Sequence, residues 1–414
     1  MIKMSLGNVI VGNSAAGISA LEAIRQNDLD TPITLISDEN LLTYSRVMLP
    51  YFIKGDLREE DLFIKQMEYY DQMKVKTIFG RSVVKVKPEK STLILDNGEK
   101  IGFEKLLIAS GSSPVIPKIE GINSKGIFCL RTLDDARKIA SFANCADRAL
   151  MIGGGPVTVE TAAALHSLGL KITFVVTSNR ILSRMLDQEG SDLVRKRTEA
   201  NGVEVLTERK IVKITGNGTK KVFLDTGEKI DCDMIVVGKG VKPNIGLVEN
   251  SEISVDKGIL IDDRMRTNLD NIYAAGDVAQ APNLRGNGQV INAIWPNAIH
   301  QGEIAGLNMS GQDVRYKGSF GMNIIETFGT VAVAIGRTHE KGEVITQKFG
   351  ENYRKFIFED GKLVGSILVG DFDDCGIIQS LIKKQADVRG LRDLMSKGPL
   401  NLGNILMNLY GPVK

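Results

Sequence analysis

Hydrophobic positions in the first part of the chain come in short continuous runs that end at glycine or at small polar residues. Residues 9–11 form such a run, which leads into a glycine turn and then into a stretch of small residues. Short apolar runs bounded by turn residues and separated by stretches of helical length predict alternating strands and helices. We therefore expect strands at 9–11 and 33–36 and a helix at 15–27, the βαβ unit of a parallel sheet.

The same order returns in the middle of the chain, where we expect a strand at 150–152, a helix at 159–168 and a strand at 171–176. Each unit precedes a hairpin pattern and a buried strand that ends in small residues. The hairpins are expected at 83–86 with 92–95 and at 211–215 with 221–224, and the small-residue strand ends at 103–114 and 233–244. Self-similarity on this scale indicates an internal duplication at the level of domains.

The pattern changes from residue 316 onward. Strands are expected at 331–335, 355–358 and 363–368, and helices at 375–385 and 402–409. Strand-rich and helical segments that are grouped in this way are typical of an α+β unit. The fold class we expect is α/β, with two dinucleotide-binding domains of Rossmann type and a C-terminal α+β domain at 316–414.

A tight turn between strand and helix directs backbone N–H groups and the positive end of a helix dipole at whatever lies above it, which suits a phosphate. The spacing from Gly12 to Gly17 fits the dinucleotide fingerprint, although Ser14 stands where the middle glycine is usual. The second turn, at 153–158, has the first two glycines of the fingerprint but Thr158 in place of the third. Both turns are candidate pyrophosphate sites.

An acidic residue about 20 positions after the glycines is where the ribose hydroxyls are normally bound. Asp38 and Glu39 both meet this requirement in the first unit, because they follow its second strand. The second unit offers no acid at 176–179 and no arginine before Arg180. The sequence therefore does not decide between NAD and NADP.

Composition excludes several other classes of protein. The 414 residues have a formal net charge of +2, which gives little reason to expect a nucleic-acid partner. The four cysteines and three histidines are scattered, with no C-x-x-C or C-x4-C pair, so neither a disulfide framework nor a metal site is expected. The N-terminal residues leave no room for a signal peptide, and no apolar run reaches the roughly 18 residues of a membrane helix. We expect a cytoplasmic protein with no membrane partner.

Five motifs in fixed order resemble the FAD-dependent pyridine nucleotide–disulfide reductase superfamily. They are the two fingerprints and the segments 109–111, 237–240 and 273–277, and the resemblance covers about residues 1–310. Residues 44–46 and the C-terminal segments 322–323, 328–329 and 368–371 are similar to the branch of NADH:rubredoxin reductases, NADH oxidases and the flavin part of nitrite reductases. The resemblance implies glutathione-reductase-type domains: an FAD domain at 1–114 and 245–315, and an NAD(P)H domain at 115–244.

The resemblance also implies which residues hold the FAD, with the pyrophosphate at the first turn, the ribose at the following acid and the ribityl chain near residue 277. A helix at 298–309 would point its amino end at the flavin pyrimidine ring. The implied FAD contacts are Gly12, Ser14, Ala15, Ala16, Gly17, Asp38, Glu39, Arg46, Ala109, Ser110, Gly111, Gly276, Asp277, Trp295 and Ala298.

For the nicotinamide coenzyme, NADH or NADPH, the resemblance implies a second set of contacts. Glu160 would lie near the nicotinamide, and no side chain is assigned as catalytic because the chemistry would be centred on the flavin. The implied NAD(P) contacts are Gly153, Gly155, Pro156, Val157, Glu160, Thr177, Gly238 and Gly240.

A missing cysteine distinguishes this chain from its relatives. Disulfide reductases have C-x4-C on the helix after the first ribose acid, and peroxidase and oxidase members have one cysteine there; in this chain that position falls on Val47. Valine forms no thiolate or sulfenate. Cys129, Cys145 and Cys232 are expected to be small buried residues. Cys375 begins a helix, where its pKa could be lowered, although no redox role is expected of it.

Without a redox group of the protein itself, electrons would pass between nicotinamide and FAD and then to an external acceptor. The expected acceptor is a small iron–sulfur carrier of rubredoxin or ferredoxin type, or an iron–sulfur partner subunit. Two alternatives remain: an NAD(P)H oxidase that uses dioxygen, and a flavin-containing assembly subunit that no longer binds nicotinamide. A homodimer is possible in each case.

The C-terminal residues 379–414 are rich in cations and could form a docking face for an acidic carrier. The alternative is an ordinary solvated helix face. The charged residues that define this basic face are Lys383, Lys384, Arg389, Arg392, Lys397 and Lys414, against Asp387 and Asp393.

Overall fold

The computed structural model describes residues 7–284, 288–339, 342–370, 372–401, 403–405 and 407. The chain divides into two compact units. The first unit consists of Met1–Met48, Arg58–Ser113 and Val241–Phe320, and the second of Leu49–Leu57, Pro114–Gly240 and Gly321–Lys414. Residues after 321 thus group with the second unit, and the division into three domains by cofactor stays a prediction.

The helices, in chain order, are α1 (Ala15–Asn27), α2 (Leu49–Lys54), α3 (Met67–Gln72), α4 (Leu133–Ala143), α5 (Pro156–Ser167), α6 (Gln188–Ala200), α7 (Trp295–Met309), α8 (Cys375–Lys384) and α9 (Arg392–Met395). Short 3₁₀ turns occur between them, among them Arg46–Met48.

The strands, in chain order, are β1 (Asn8–Val11), β2 (Ile33–Ser37), β3 (Val75–Phe79), β4 (Val83–Lys87), β5 (Thr92–Leu95), β6 (Lys100–Gly102), β7 (Lys105–Ile108), β8 (Ser112–Pro114), β9 (Ile127–Phe128), β10 (Arg148–Ile152), β11 (Lys171–Val176), β12 (Glu204–Thr207), β13 (Ile211–Thr215), β14 (Lys220–Leu224), β15 (Lys229–Cys232), β16 (Met234–Val237), β17 (Val241–Pro243), β18 (Ile259–Leu260), β19 (Ile272–Ala274), β20 (Ala279–Pro282), β21 (Gln289–Val290), β22 (Met322–Thr327), β23 (Thr330–Gly336), β24 (Glu343–Phe349), β25 (Asn352–Glu359) and β26 (Lys362–Val369).

A parallel sheet forms the centre of the first unit, with the strand order β19-β7-β1-β2-β3. Its middle strands are mostly apolar and mostly buried, because helices or loops cover both faces of a parallel sheet. Ile10 and Leu107, which are register partners on β1 and β7, are both fully buried. An antiparallel sheet of order β4-β5-β6 belongs to the same unit.

The second unit repeats this plan in a parallel sheet of order β12-β11-β10-β16-β9, accompanied by the antiparallel sheet β13-β14-β15. Its C-terminal part adds an antiparallel sheet of order β22-β23-β26-β25-β24. Asp187, the N-cap of α6, accepts hydrogen bonds from Tyr353 (2.7 Å) and Lys355 (2.9 Å) on β25 and so joins α6 to that sheet. Arg354 and Asp374 form a fully buried ion pair in the same part.

The predicted elements agree with the observed ones except at their ends. The helix expected at 159–168 begins earlier, at Pro156, because proline at the first helical position needs no N–H partner. The helix expected at 402–409 lies partly outside the described residues. Residue 371, the last of the segment 368–371, also lies outside them. No helix of the described chain is long and apolar enough to cross a membrane.

Candidate functional site

The turn between β1 and α1 is built on two glycines with different tasks. Gly12 has a φ of +121° and lies over the carbonyl of Ala109, so a side chain there would be strained and would collide with the backbone. A Cβ on Gly17 would collide with the carbonyl oxygen of Gly12. Ser14, the N-cap of α1, makes no side-chain cap hydrogen bond, and the first helical turn contains no acid. The turn therefore leaves amide donors and a hydroxyl for an anion.

Close packing against α7 fixes the position of α1. A Cβ on Gly302 would collide with the backbone of Ala16, and one on Gly306 with the backbone of Ala20. Sequence reasoning missed this pair of glycines, although their spacing of four residues on a helix is the signal that could have revealed a close helix crossing.

The predicted FAD residues Ala16, Gly276 and Ala298 come together beside this crossing. Gly276 has a φ of +79°, and a Cβ on it would lie 3.2 Å from Cβ of Ala16 and 3.6 Å from Cβ of Ala298. The N–H of Gly276 donates to Gln301 of α7 (2.8 Å). Trp295 begins α7 and packs partly buried against the core of the unit, and the first turn of α7 contains no acid. The amino end of α7 is thus open to negative charge.

Glu39 and Arg46, both predicted from the sequence, form an ion pair. The hydroxyl of Tyr44 donates to the second carboxylate oxygen of Glu39 (2.6 Å), and the Arg46 guanidinium lies over the Tyr44 ring at 5.0 Å. A carboxylate has about four lone-pair positions, so Glu39 retains capacity for ribose hydroxyls. Asp38 is exposed and accepts the backbone N–H of Glu39 (3.0 Å). Glu39 is therefore the better placed of the two acids.

A hydrogen-bond chain that the sequence did not reveal ties the ribose loop to the turn. The amide of Asn13 donates to the carbonyl of Leu41 (3.1 Å) and accepts from the buried Tyr70 hydroxyl (2.9 Å). The same hydroxyl accepts the N–H of Thr43 (3.1 Å). The chain fixes the loop that holds Glu39 relative to the fingerprint.

Polar links also hold the small-residue segment after β7. Ser110 and Asn244 exchange two hydrogen bonds, of 3.0 and 2.8 Å, and the N–H of Asn244 donates to Gly111, whose φ is +67°. Ser112 donates to the carboxylate of Asp277 (2.8 Å). Ala109 continues β7 toward Gly12 through its N–H bond to Val11 (2.8 Å).

This set of donors and acceptors fits FAD. The turn at Gly12 offers amides to a pyrophosphate, Glu39 and Asp277 offer oxygens to hydroxyl groups, and the amino end of α7 suits an anion.

The turn between β10 and α5 is the corresponding site of the second unit. Gly153 has a φ of +105° and lies over the carbonyl of Gly238. Gly155 has an ordinary φ of −82°, and a Cβ on it would have no atom within 4 Å. Neither backbone conformation nor packing requires glycine at 155, so close approach of a ligand is the remaining reason for it. Pro156 follows as the first residue of α5, and Val157 is 51% exposed beside it.

Thr158, which stands in place of the third glycine, is accommodated by a glycine at the facing strand end. It is buried, and its hydroxyl occupies the space that a Cβ on Gly238 would need. The strand end and the helix thus keep their close approach, because Gly238 leaves room for the Thr158 side chain. The altered fingerprint leaves the turn intact.

Burial raises the pKa of Glu160 on α5 to about 7. Tyr51 on α2, whose pKa is also raised by burial, and Glu326 on β22 belong to the same charged neighbourhood. A carboxyl group with a pKa near 7 changes its protonation within the physiological range, which is typical of functional sites.

Thr177 follows β11, where the second ribose is expected. Its hydroxyl lies 3.4 Å from Nζ of Lys239, a residue that sequence reasoning did not assign to the site. Gly240, the next predicted residue, has a φ of +87°, and a Cβ on it would lie 4.0 Å from the guanidinium of Arg184.

No cysteine whose pKa shift is resolved is activated. Burial raises the pKa of Cys129 to about 11 and that of Cys232 to about 12. The suggestion that the pKa of Cys375 is lowered is wrong, because burial and the carboxylate of Asp374 raise its pKa. The prediction that Cys145 is buried is also wrong, because it is exposed. Val47 stands 56% exposed at the position of the missing cysteine.

The structure divides the cations of the basic face. Arg389 pairs with Asp387, and Arg392 pairs with Glu343 (2.5 Å). Lys383, Lys384 and Lys397 are exposed, and the predicted Lys414 lies outside the described residues. The two arginines are thus paired with carboxylates, and the three exposed lysines supply the remaining positive charge of the face.

Two family models match the chain. Residues 8–302 match the pyridine nucleotide-disulphide oxidoreductase family, and residues 322–386 match the rubredoxin NAD+ reductase C-terminal domain.

Among curated proteins, the NADH-dependent phenylglyoxylate dehydrogenase subunit epsilon of Aromatoleum evansii is 32% identical over 97% of both chains. The assimilatory nitrate reductase electron transfer subunit of Bacillus subtilis is 29% identical over 92% of this chain, which spans 49% of that protein. Among solved structures, the NADH:rubredoxin oxidoreductase of Clostridium acetobutylicum is 27% identical and superposes with a TM-score of 0.76, covering 97% of this chain and 99% of that one.

Proposed function

Since the chain belongs to the pyridine nucleotide-disulphide oxidoreductase family, we propose that it exchanges electrons between a nicotinamide coenzyme and an external iron–sulfur protein. It is an FAD-dependent NAD(P)H oxidoreductase. When bound, FAD takes a hydride from the nicotinamide and gives up electrons singly or in pairs.

The observation that supports an external acceptor is Val47 at the position of the redox cysteine. An exposed valine stores no electrons, and the pKa values of Cys129, Cys232 and Cys375 are raised rather than lowered. A thiol with a raised pKa is a poor nucleophile and a poor redox partner at neutral pH. We therefore expect electrons to leave the protein through the bound flavin rather than through a thiol.

The assigned residues of the first unit would bind and orient FAD. Amides of the Gly12 turn and the Ser14 hydroxyl would hold the pyrophosphate, and Glu39 would hold the ribose while its ion pair with Arg46 fixes the position of the carboxylate. Asp277 would bind ribityl hydroxyls, with Ser112 fixing its orientation. The amino end of α7 would stabilise negative charge on the bound ring system.

The second unit would bind the nicotinamide coenzyme at the Gly153 turn. The space that Gly238 leaves for the Thr158 side chain supports this assignment over that of an assembly subunit without coenzyme, because the turn is preserved. Glu160 would face the nicotinamide, and its pKa of about 7 leaves the neutral and ionised carboxyl both populated near neutral pH.

Two features favour an iron–sulfur acceptor over dioxygen. The C-terminal part matches the rubredoxin NAD+ reductase C-terminal domain. The exposed lysines of the basic face offer positive charge to an acidic carrier, which would raise the rate of encounter. A partner subunit with an iron–sulfur centre satisfies the same requirements.

Anaerobic stopped-flow absorbance tests the proposal. The flavin-loaded protein is mixed first with NADH or NADPH and then with a small ferredoxin or a rubredoxin, and a parallel sample receives air-saturated buffer. We expect the flavin to bleach, and to reoxidise much faster with an iron–sulfur carrier than with dioxygen. Fast reoxidation by dioxygen with no effect of either carrier would identify an oxidase, and absence of bleaching would identify a subunit that does not use nicotinamide.

A further inference from the structure

The end of β11 has the character of an anion site rather than that of a ribose-diol site. Val176 closes the strand as a buried apolar residue. A carboxylate at this place in a dinucleotide fold binds the ribose 2′-hydroxyl and repels a 2′-phosphate, whereas a nearby cation accommodates the phosphate. Removing the acid therefore removes the main barrier to NADP(H).

Lys239 runs from the fingerprint turn to the end of this strand. Its Cδ lies 3.8 Å from the place of a Cβ on Gly153, and its Nζ lies 3.4 Å from the Thr177 hydroxyl. The side chain thus lies alongside the pyrophosphate turn and ends at the ribose position. That path follows the order of groups in the adenosine half of a dinucleotide, from pyrophosphate to ribose.

The ammonium group of Lys239 has no carboxylate to neutralise it. Within the described part of the chain it forms no ion pair, and burial alone lowers its pKa. A partly buried cation with one weak neutral contact is costly unless an anion joins it. An incoming phosphate would supply that anion and a charge-assisted hydrogen bond.

Two arginines on the loop that follows β11 add further positive charge. Arg180 donates only to neutral oxygens, those of Asn179 (3.0 Å), Leu186 (3.3 Å) and Ser183 (3.4 Å). Arg184 is exposed, with its guanidinium 4.0 Å from the place of a Cβ on Gly240.

The acids nearby do not cancel this charge. Asp187 is occupied by Tyr353 and Lys355. Glu208 is exposed, and its backbone N–H donates to Ser178 (3.0 Å). Within the described residues, neither Lys239 nor Arg180 forms an ion pair with a carboxylate.

We propose that Lys239, with Thr177, binds the 2′-phosphate of NADP(H), so that this chain prefers NADPH to NADH. The inference rests on the proposed function, because it names the coenzyme of that same site. It goes beyond the sequence, in which Lys239 is 62 residues from Thr177 and the strand end shows only the absence of an acid.

Calorimetric binding of nucleotide fragments to the flavin-loaded protein tests the assignment without turnover. The probes are adenosine 2′,5′-bisphosphate and 5′-AMP, which differ by the 2′-phosphate alone. We expect the bisphosphate to bind about tenfold more tightly, the usual gain from one charge-assisted hydrogen bond. Lys239→Met should abolish the difference, whereas Lys171→Met, at the opposite end of β11, should preserve it. Val176→Glu should reverse the preference.

Two results would overturn the inference. If 5′-AMP binds as tightly as the bisphosphate, no 2′-phosphate site exists. If Lys239→Met weakens both fragments equally, the lysine binds the pyrophosphate side instead. Either result together with flavin bleaching by NADH would leave the proposed function standing. If neither fragment binds and neither coenzyme bleaches the flavin, both proposals fail.

Discussion

The two nucleotide units use the same backbone plan but distribute their glycines differently. In the first, the N-cap of the helix is Ser14 and the third helical residue is Gly17; in the second, Gly155 is the N-cap and Thr158 is the third residue. Thr158 fits because Gly238 stands opposite it. The third position of the fingerprint can therefore hold a side chain where the facing strand end is a glycine.

The ribose ends of the two units differ more strongly. Glu39 is held by Arg46 and Tyr44, which is suited to binding hydroxyl groups. The second unit has a buried valine and the unneutralised Lys239. Duplicated folds can thus take chemically different dinucleotides through a few side chains at one strand end.

Gly17→Val and Gly155→Val give the sharpest test of the comparison and the largest expected effect. The first substitution collides with the backbone of Gly12, so we expect loss of soluble, flavin-loaded protein. The second enters open space, so the fold and the flavin should remain while coenzyme affinity falls by more than about 100-fold. Flavin absorbance measures how much flavin-loaded protein remains, and anaerobic reduction by NADPH measures the coenzyme affinity. Unchanged coenzyme affinity in Gly155→Val would contradict the assignment of the second turn.

Glu39→Ala should weaken FAD binding by about tenfold to a hundredfold, because hydrogen bonds to a charged carboxylate are lost and Arg46 is left without its partner. Asp38→Ala is the matched control, since Asp38 is exposed and its carboxylate accepts the backbone N–H of Glu39. Fluorescence of released flavin on dilution measures the affinity. A larger effect from Asp38→Ala would reassign the ribose acid.

Glu160 occupies the fifth position of α5, where α1 has Ser19, and it should make the second unit sensitive to pH. Its folded pKa of about 7 lies above the ordinary value of 4.5, so the folded state binds the extra proton. The contribution of Glu160 to the free energy of unfolding is then most favourable below pH 4.5. It falls as pH rises to 7, by up to about 3 kcal/mol.

Thermal unfolding of Glu160→Gln at several pH values checks this prediction. The variant should gain stability relative to the native protein as pH rises from 5 to 8, by about the same amount. Glu303→Gln, an exposed carboxylate on α7, serves as control and should show no such trend. A stability difference that is independent of pH would show that Glu160 is not buried as described.

Val47→Cys should have the smallest effect. The side chain is exposed, so flavin content and electron transfer to an iron–sulfur carrier should change by less than about twofold. A thiol reagent should detect one additional reactive group compared with Val47→Ser. A large rise in peroxide or disulfide reduction would indicate that this site needs nothing beyond the cysteine to regain that chemistry.

The sequence predicted what depends on local pattern. Strands, helices and both turns followed from apolar runs and glycine spacing, because these features are set within a few residues. Contacts between distant segments could not be predicted in this way: Lys239 meets Thr177 across 62 residues, and Gly302 packs on Ala16 from another helix. Cys375 shows a further limit, since its helix position suggested a lowered pKa but burial and Asp374 raise it.

We propose that the bound flavin is the only redox-active group in the protein and that no thiol takes up electrons. Anaerobic titration of the flavin-loaded chain with NADPH, followed by flavin absorbance and by thiol counting, measures that capacity directly. We expect complete bleaching with about one equivalent of coenzyme and no new reactive thiol. Consumption of about two equivalents, or the appearance of thiols during reduction, would reveal a second redox group and contradict it.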